Sequence, residues 1–411
     1  MTRSVVLLAA ITLAGSAVNY GSNLVFARLL TPASYGDLTS LLALSVVVAV
    51  PFTAAQTRVA TRVAAYAAEG RWDRVQYVVR HALAHLSVIS LLVTLLYCAA
   101  IPLVKHLFHL QAIGPALALV PLFFVGFLFP ALQGALQGLE RWVAFGLIGL
   151  AVACSRLVFG IPWALAGGGA GGAIGGQAFG MVMCLVGLVW LLRTHVRRTG
   201  NAAAWAGIRR RPDVAGVAAG AAFVFFAVIA NCDVVLAKIF LAPKLAGDYA
   251  ALSTIGSIVT FLPATVAVIV VPSTIKAGES LRDRVHVLRV AALLVAVISL
   301  VAIIPAVLAP TIIIKIMFGS RYLSSTSGVL PIVCAGGGLA LLYLLVTYTV
   351  AIEDTRWTWL LAIGVVLQFI LIALFHGSVT QVAGTQAVVV LVLLVVNEIR
   401  FHSLLPWPHR G

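Results

Sequence analysis

Long apolar runs separated by short polar breaks fill this chain from end to end. A bilayer core about 30 Å thick takes roughly 20 apolar residues to cross as a helix. Twelve runs meet that length, at about 5–29, 37–56, 82–104, 115–138, 142–164, 172–192, 214–241, 248–272, 287–308, 326–351, 357–375 and 382–399. The pattern predicts an all-α integral membrane protein with about 12 transmembrane helices. The first run far exceeds the roughly 7–15-residue core of a signal peptide and has a counterpart in the second half, so it is read as a helix.

Composition sharpens this reading. Hydrophobic residues make up 62% of the chain and charged ones 9%, against about 25% charged in soluble domains. No water-soluble core hides that much apolar surface, which excludes a cytosolic enzyme. The five cysteines lie in apolar runs without metal-ligand spacing and read as small core residues. The 27 Lys and Arg outweigh 12 Asp and Glu, for a net charge of +15. Their placement explains the excess. With the N-terminus inside, twenty fall on cytoplasmic segments, six on outer ones, and Arg156 within a span. That bias puts both termini in the cytoplasm and removes any need for a nucleic-acid partner. Residues Arg58–Arg80 alternate small apolar residues with arginine and are expected to form an amphipathic helix on the inner membrane surface.

The longest cytoplasmic linker, 193–213, divides the spans six and six. The expected organisation is an N-terminal six-helix bundle (1–192), that basic linker, a C-terminal six-helix bundle (214–400) and a tail (401–411). Residues 27–37 and 237–248 resemble each other: Arg28 aligns with Lys238, Pro32 with Pro243, Gly36 with Gly247 and Asp37 with Asp248. Each following helix then carries a mid-span proline, Pro51 or Pro263. Two six-span units sharing one orientation imply a pseudo-twofold axis along the membrane normal and a cleft that opens to either side by rocking.

Chemistry must then come from polar groups within the spans, which are functional candidates by default. The short outer loops leave no room for an external catalytic domain, and no Gly-Lys-Ser/Thr phosphate loop is present, so neither an enzyme nor a cofactor is expected. Gly172, Gly176 and Gly180 recur every fourth residue and read as a helix-packing stripe. Arg156 lies some fourteen residues into the fifth span. It either grips a phosphate from a water-filled cavity or makes a structural contact to a neighbouring helix. Arg28 and Lys238 near the outer helix ends either face a shared vestibule or snorkel to the interface. Asp233 is a candidate for proton or sodium coupling, or for neutralising Arg156 or Lys238. Asn19 and Asn23 on the first span, and Gln133 and Gln137 on the fourth, offer amides to sugar hydroxyls or to other helices. His106 and His109 read as interfacial histidines rather than metal ligands.

The segment Phe26-Ala-Arg-Leu-Leu-Thr-Pro-Ala-Ser-Tyr-Gly-Asp37 resembles the first-helix exit of the bacterial polysaccharide (O-antigen type, Wzx-like) flippases. Gln137-Gly-Leu-Glu-Arg-Trp142, with Arg156 in the next helix, resembles the same family's fourth-to-fifth helix stretch. The resemblance implies membership of the multidrug/oligosaccharidyl-lipid/polysaccharide exporter superfamily. It implies a substrate of undecaprenyl-diphosphate-linked oligosaccharide, moved from the inner to the outer leaflet of the bacterial cytoplasmic membrane. A polysaccharide polymerase or glycosyltransferases would be its partners. The alternative on the same fold is a cation-coupled multidrug or small-solute exporter.

Overall fold

The computed structural model describes residues 2–193, 214–275, 281–352 and 356–401. Each of the twelve apolar runs falls on helical residues, the second divided between two helices, and the described residues contain no strand. In the first half these are α1 (Thr2–Leu29), α2 (Pro32–Ala49), α3 (Pro51–Ala68), α4 (Trp72–Leu107), α5 (Gly114–Gly138), α6 (Trp142–Ser155) and α7 (Gly169–Leu191). In the second half they are α8 (Val214–Phe240), α9 (Pro243–Ile275), α10 (Leu281–Leu308), α11 (Pro310–Met317), α12 (Val329–Ala351), α13 (Arg356–Leu374) and α14 (Val379–Phe401). Short α11 aside, the second half thus contributes six long helices. Most of expected linker 193–213 and tail 401–411 lies outside the described residues.

The helices cluster in two units. One holds described residues within 1–30 and 44–212, the other those within 31–43 and 213–411. The opening twelve residues of α2 therefore pack with the helices of the second half. Nine described helical stretches are long and apolar enough to cross a membrane. Large apolar side chains such as Leu96, Leu165, Leu308 and Trp359 stand more than 60% exposed on them. In water such surfaces would be an aggregation liability; in a bilayer they are the solvent-facing side.

Two local expectations are corrected. Residues 58–80 form no single surface helix. Arg58 and Arg62 lie on the end of α3, the chain turns at Gly70 (φ +68°), and α4 begins at Trp72. Val59, Val63, Val75, Val78 and Val79 from both sides of that turn are buried together with Leu132 and Leu136 of α5. Their apolar stripe is covered by protein, so the segment is a helical hairpin. Cys98 and Cys334, expected in the core, are exposed on their helices, whereas Cys232 is buried.

Proline and glycine shape the rest. At Pro51 the second span breaks into α2 and α3, as a missing N–H and a ring clash require. At Pro263 helix α9 runs through. The Gly172/Gly176/Gly180 stripe packs as expected: a Cβ at Gly172 would strike the Trp163 carbonyl, at Gly176 the Phe159–Gly160 backbone, and at Gly180 the Ser155 side chain. Gly134 and Gly138 of α5 likewise abut the Gln56 and Ala60 carbonyls of α3.

Candidate functional site

The first unit brings three of the expected residues together. Asn19 and Asn23, four residues apart on α1, share a face of that helix. One η nitrogen of Arg156 donates to Asn19 Oδ1 at 2.5 Å and the other to Asn23 Oδ1 at 2.9 Å. A one-turn spacing of two amide oxygens matches the fork of a guanidinium. Arg156 stands where α6 gives way to a π-helical turn, Arg156–Gly160. The extra residue per turn re-aims side chains, and such turns are frequent at functional sites. Further on, Ala166 and Gly167 leave helical geometry before α7 begins. Arg156 is only 7% exposed and contacts a neighbouring helix, one of the two roles its place in the fifth span left open. Burial makes a charge expensive unless it is well bonded. Amide oxygens orient the guanidinium without cancelling its charge.

Gln133 and Gln137 do not join this cluster's hydrogen bonds. Gln137 accepts from Gln56 Nε2 at 3.1 Å, tying α5 to α3, and Gln133 is half-buried. Arg28 is exposed on the last turn of α1. His106 ends α4 and His109 adopts a positive φ of 49° in the turn beyond it. Among the described residues no group of three or more His, Cys, Asp or Glu is placed to hold a metal.

In the second unit, Lys238 is 1% exposed and does not reach an interface. Its Nζ pairs with Asp37 Oδ1 at 2.6 Å. The segment carrying Asp37 is seated by further contacts. Tyr35 is fully buried, its hydroxyl 2.9 Å from Thr254 Oγ1, its ring edge-on to Tyr322. Gly36 meets Gly247 so closely that a Cβ at Gly36 would lie 2.9 Å from the Gly247 nitrogen. The two glycines that align between the halves thus touch each other. Asp248 accepts instead from Ser324 Oγ at 3.1 Å.

Asp233 pairs with neither Arg156 nor Lys238. It is 2% exposed and accepts from the Tyr249 hydroxyl at 2.7 Å. It lines a cavity of about 20 Å³ with Ser253, Ser257, Thr260 and Gln386, room for about one water. Beside it Gln368 and Gln386 bond to each other at 2.5 Å, and both donate to the Ile229 carbonyl. Sequence reasoning missed Asp37, Tyr249 and these glutamines. Asp37 alone had left a signal, its alignment with Asp248.

No protein-family model matches the chain, and no curated protein matches it. Solved structures do. A multidrug resistance MATE family transporter of the MOP superfamily, in an inward-facing conformation, superposes with a TM-score of 0.75 at 13% identity, over 95% of this chain and 98% of its own. The lipid II flippase MurJ, in an inward closed conformation, gives 0.73 at 12%, over 97% and 88%. A MOP superfamily transporter from Pyrococcus furiosus, described by the reverse polarity of its binding pocket, gives 0.60 at 13%, over 97% and 95%. The chain has this fold: all-α and membrane-spanning, with the described long helices clustered in two units.

Proposed function

We propose that the protein is an alternating-access flippase for an undecaprenyl-diphosphate-linked oligosaccharide, working from the inner to the outer leaflet of the bacterial cytoplasmic membrane with both termini inside. The observation that carries this reading is the buried Arg156 held by Asn19 and Asn23. A cation kept inside a membrane bundle at such cost has a task, and a guanidinium binds phosphate through two parallel charge-assisted bonds. A phosphate oxygen carries negative charge that an amide oxygen lacks, so a diphosphate oxygen displaces an amide from the same η nitrogens. The amides then turn to the sugar hydroxyls. Arg28 extends the same surplus of cations over acids, and Gln133 and Gln137 supply further amides. An inside-negative potential favours outward movement of negative charge by about 2.3 kcal/mol per charge per 100 mV.

The test is depletion. Lipid-linked oligosaccharide should accumulate on the inner leaflet when the protein is removed from cells, with drug tolerance unchanged. Normal glycan export with a fall in drug tolerance would transfer the assignment to a multidrug exporter.

That second reading has its own observation. Asp233 is a buried carboxylate in a small polar cavity of the second unit, suited to a proton or a dehydrated sodium ion. Under either reading we assign coupling to Asp233. Asp233→Asn should keep the Tyr249 hydrogen bond and remove the dependence of transport on an imposed proton or sodium gradient. Measured in proteoliposomes, an unaltered gradient dependence would take Asp233 out of the coupling step.

A further inference from the structure

One end of the first unit gathers the end of α3, the start of α4, the end of α5, the start of α6 and the end of α7. Described arginines at this end are Arg58, Arg62, Arg71, Arg74, Arg80, Arg141 and Arg193, against the acids Glu69, Asp73 and Glu140. The α3–α4 and α5–α6 turns are built alike. In one, Gly70 N–H donates to the Ala67 carbonyl and Arg71 N–H to that of Tyr66; in the other, Glu140 N–H donates to Gln137 and Arg141 N–H to Leu136. Both turns use a left-handed residue, Gly70 at φ +68° and Glu140 at φ +55°, although Glu140 carries a side chain that disfavours it. Each then presents Arg-Trp at the start of the next helix, with Trp72 50% and Trp142 38% exposed.

A third pairing lies at the end of α7. The Arg193 guanidinium sits 4.8 Å over the ring of Trp190, itself 63% exposed. The Tyr66 ring, meanwhile, holds two guanidinium carbons, Arg71 at 5.8 Å and Arg74 at 5.5 Å. Arg71 is also paired with Glu69 at 3.1 Å, and both partners are well exposed.

We infer that this end of the first unit is a docking rim for acidic glycerophospholipid headgroups of the adjacent leaflet, gripped by arginines beside exposed tryptophans. The chemistry fits on both counts. Tryptophan settles at the headgroup level of a bilayer, and arginine forks onto phosphate there. Arginines stacked on an aromatic ring arrive with part of their freedom already removed. Repetition at three helix ends suits many equivalent lipids rather than one cargo molecule.

The experiment is lipid retention by the purified full-length protein, with phosphatidylglycerol and phosphatidylcholine offered together and bound lipid read by native mass spectrometry. The wild type should retain phosphatidylglycerol over phosphatidylcholine, less so at high salt. Each arginine near an anionic surface is worth a factor of about five. Arg71→Gln/Arg74→Gln should therefore lower phosphatidylglycerol retention about 25-fold and Arg141→Gln about fivefold, on that same scale. Lys105→Gln, at the opposite end of α4, should leave it unchanged. Arg71→Lys/Arg74→Lys keeps the charge and should restore most retention, which separates lost attraction from lost folding. Equal retention of the two lipids by the wild type would overturn the inference. So would variants that lose binding of undecaprenyl diphosphate while keeping phosphatidylglycerol, since the rim would then be a cargo entrance.

Discussion

Arg156→Ala is expected to abolish flipping of lipid-linked oligosaccharide while the protein still inserts into the membrane. The arginine offers both η nitrogens, each now bonded to an amide oxygen on α1. Hydrogen bonds to a charged group contribute about 1.5–3 kcal/mol each. Losing two of them to a diphosphate costs about 3 kcal/mol or more, at least a hundredfold in affinity. Arg156→Lys keeps a point charge but not the fork, so a partial rescue is expected. Asn19→Ala/Asn23→Ala leaves the charge in place with neither amide to orient it, and transport should fall without being lost. Reconstituted vesicles carrying labelled lipid-linked oligosaccharide provide the measurement. Full transport by the Arg156→Ala protein would remove this residue from the site and reduce the contact to a helix–helix tie.

Lys238→Met should destabilise the second unit by about 3 kcal/mol, because removing one member of a buried pair strands the other. Lys238 is 1% exposed and Asp37 15%, so little water reaches either charge to compensate. Combining Lys238→Met with Asp37→Asn removes both charges and should recover most of the loss, since a buried pair is often no better than an apolar substitute. Thermal unfolding in detergent of the wild type, Lys238→Met, Asp37→Asn and the double variant gives the coupling directly. A single Lys238→Met variant as stable as the wild type would show that the pair contributes nothing to folding. The same set bears on Lys238 as a substrate ligand. If its only role is to hold Asp37, the double variant regains transport along with stability. If the ammonium also meets the diphosphate, stability returns and transport does not.

The residue types at risk were legible before any coordinates. Arg156 stood out because a charge fourteen residues into an apolar run has no cheap explanation. Asn19 and Asn23 stood out because one-turn spacing puts both on one face of a helix. Their meeting with Arg156 was not legible, since it joins positions 137 and 133 residues apart. Nor was the π-helical turn at Arg156, whose Phe159–Gly160 backbone lies against Gly176 of α7. The hairpin at 58–80 was misread for a related reason. A stripe of valines every three or four residues looks the same whether lipid or protein covers it, and here α5 does.

Lys238 and Asp233 extend the point. Each was a lone charge in an apolar run, and Asp233 could be assigned to Arg156 or to Lys238. Aqueous Coulomb arguments cannot choose among them, because the choice depends on which helices pack side by side. The fold seats the start of α2 in the second unit, which delivers Asp37 to Lys238 and leaves Asp233 with Tyr249.

By itself the sequence determined the class of solvent, the all-helical architecture and the few positions where a polar group inside hydrocarbon demanded an account, because hydropathy and helix length act locally against a slab of fixed thickness. Tertiary structure alone decided which of those polar groups became partners, because the energy of a buried hydrogen bond or ion pair exists only once two distant helices stand within 3 Å of each other.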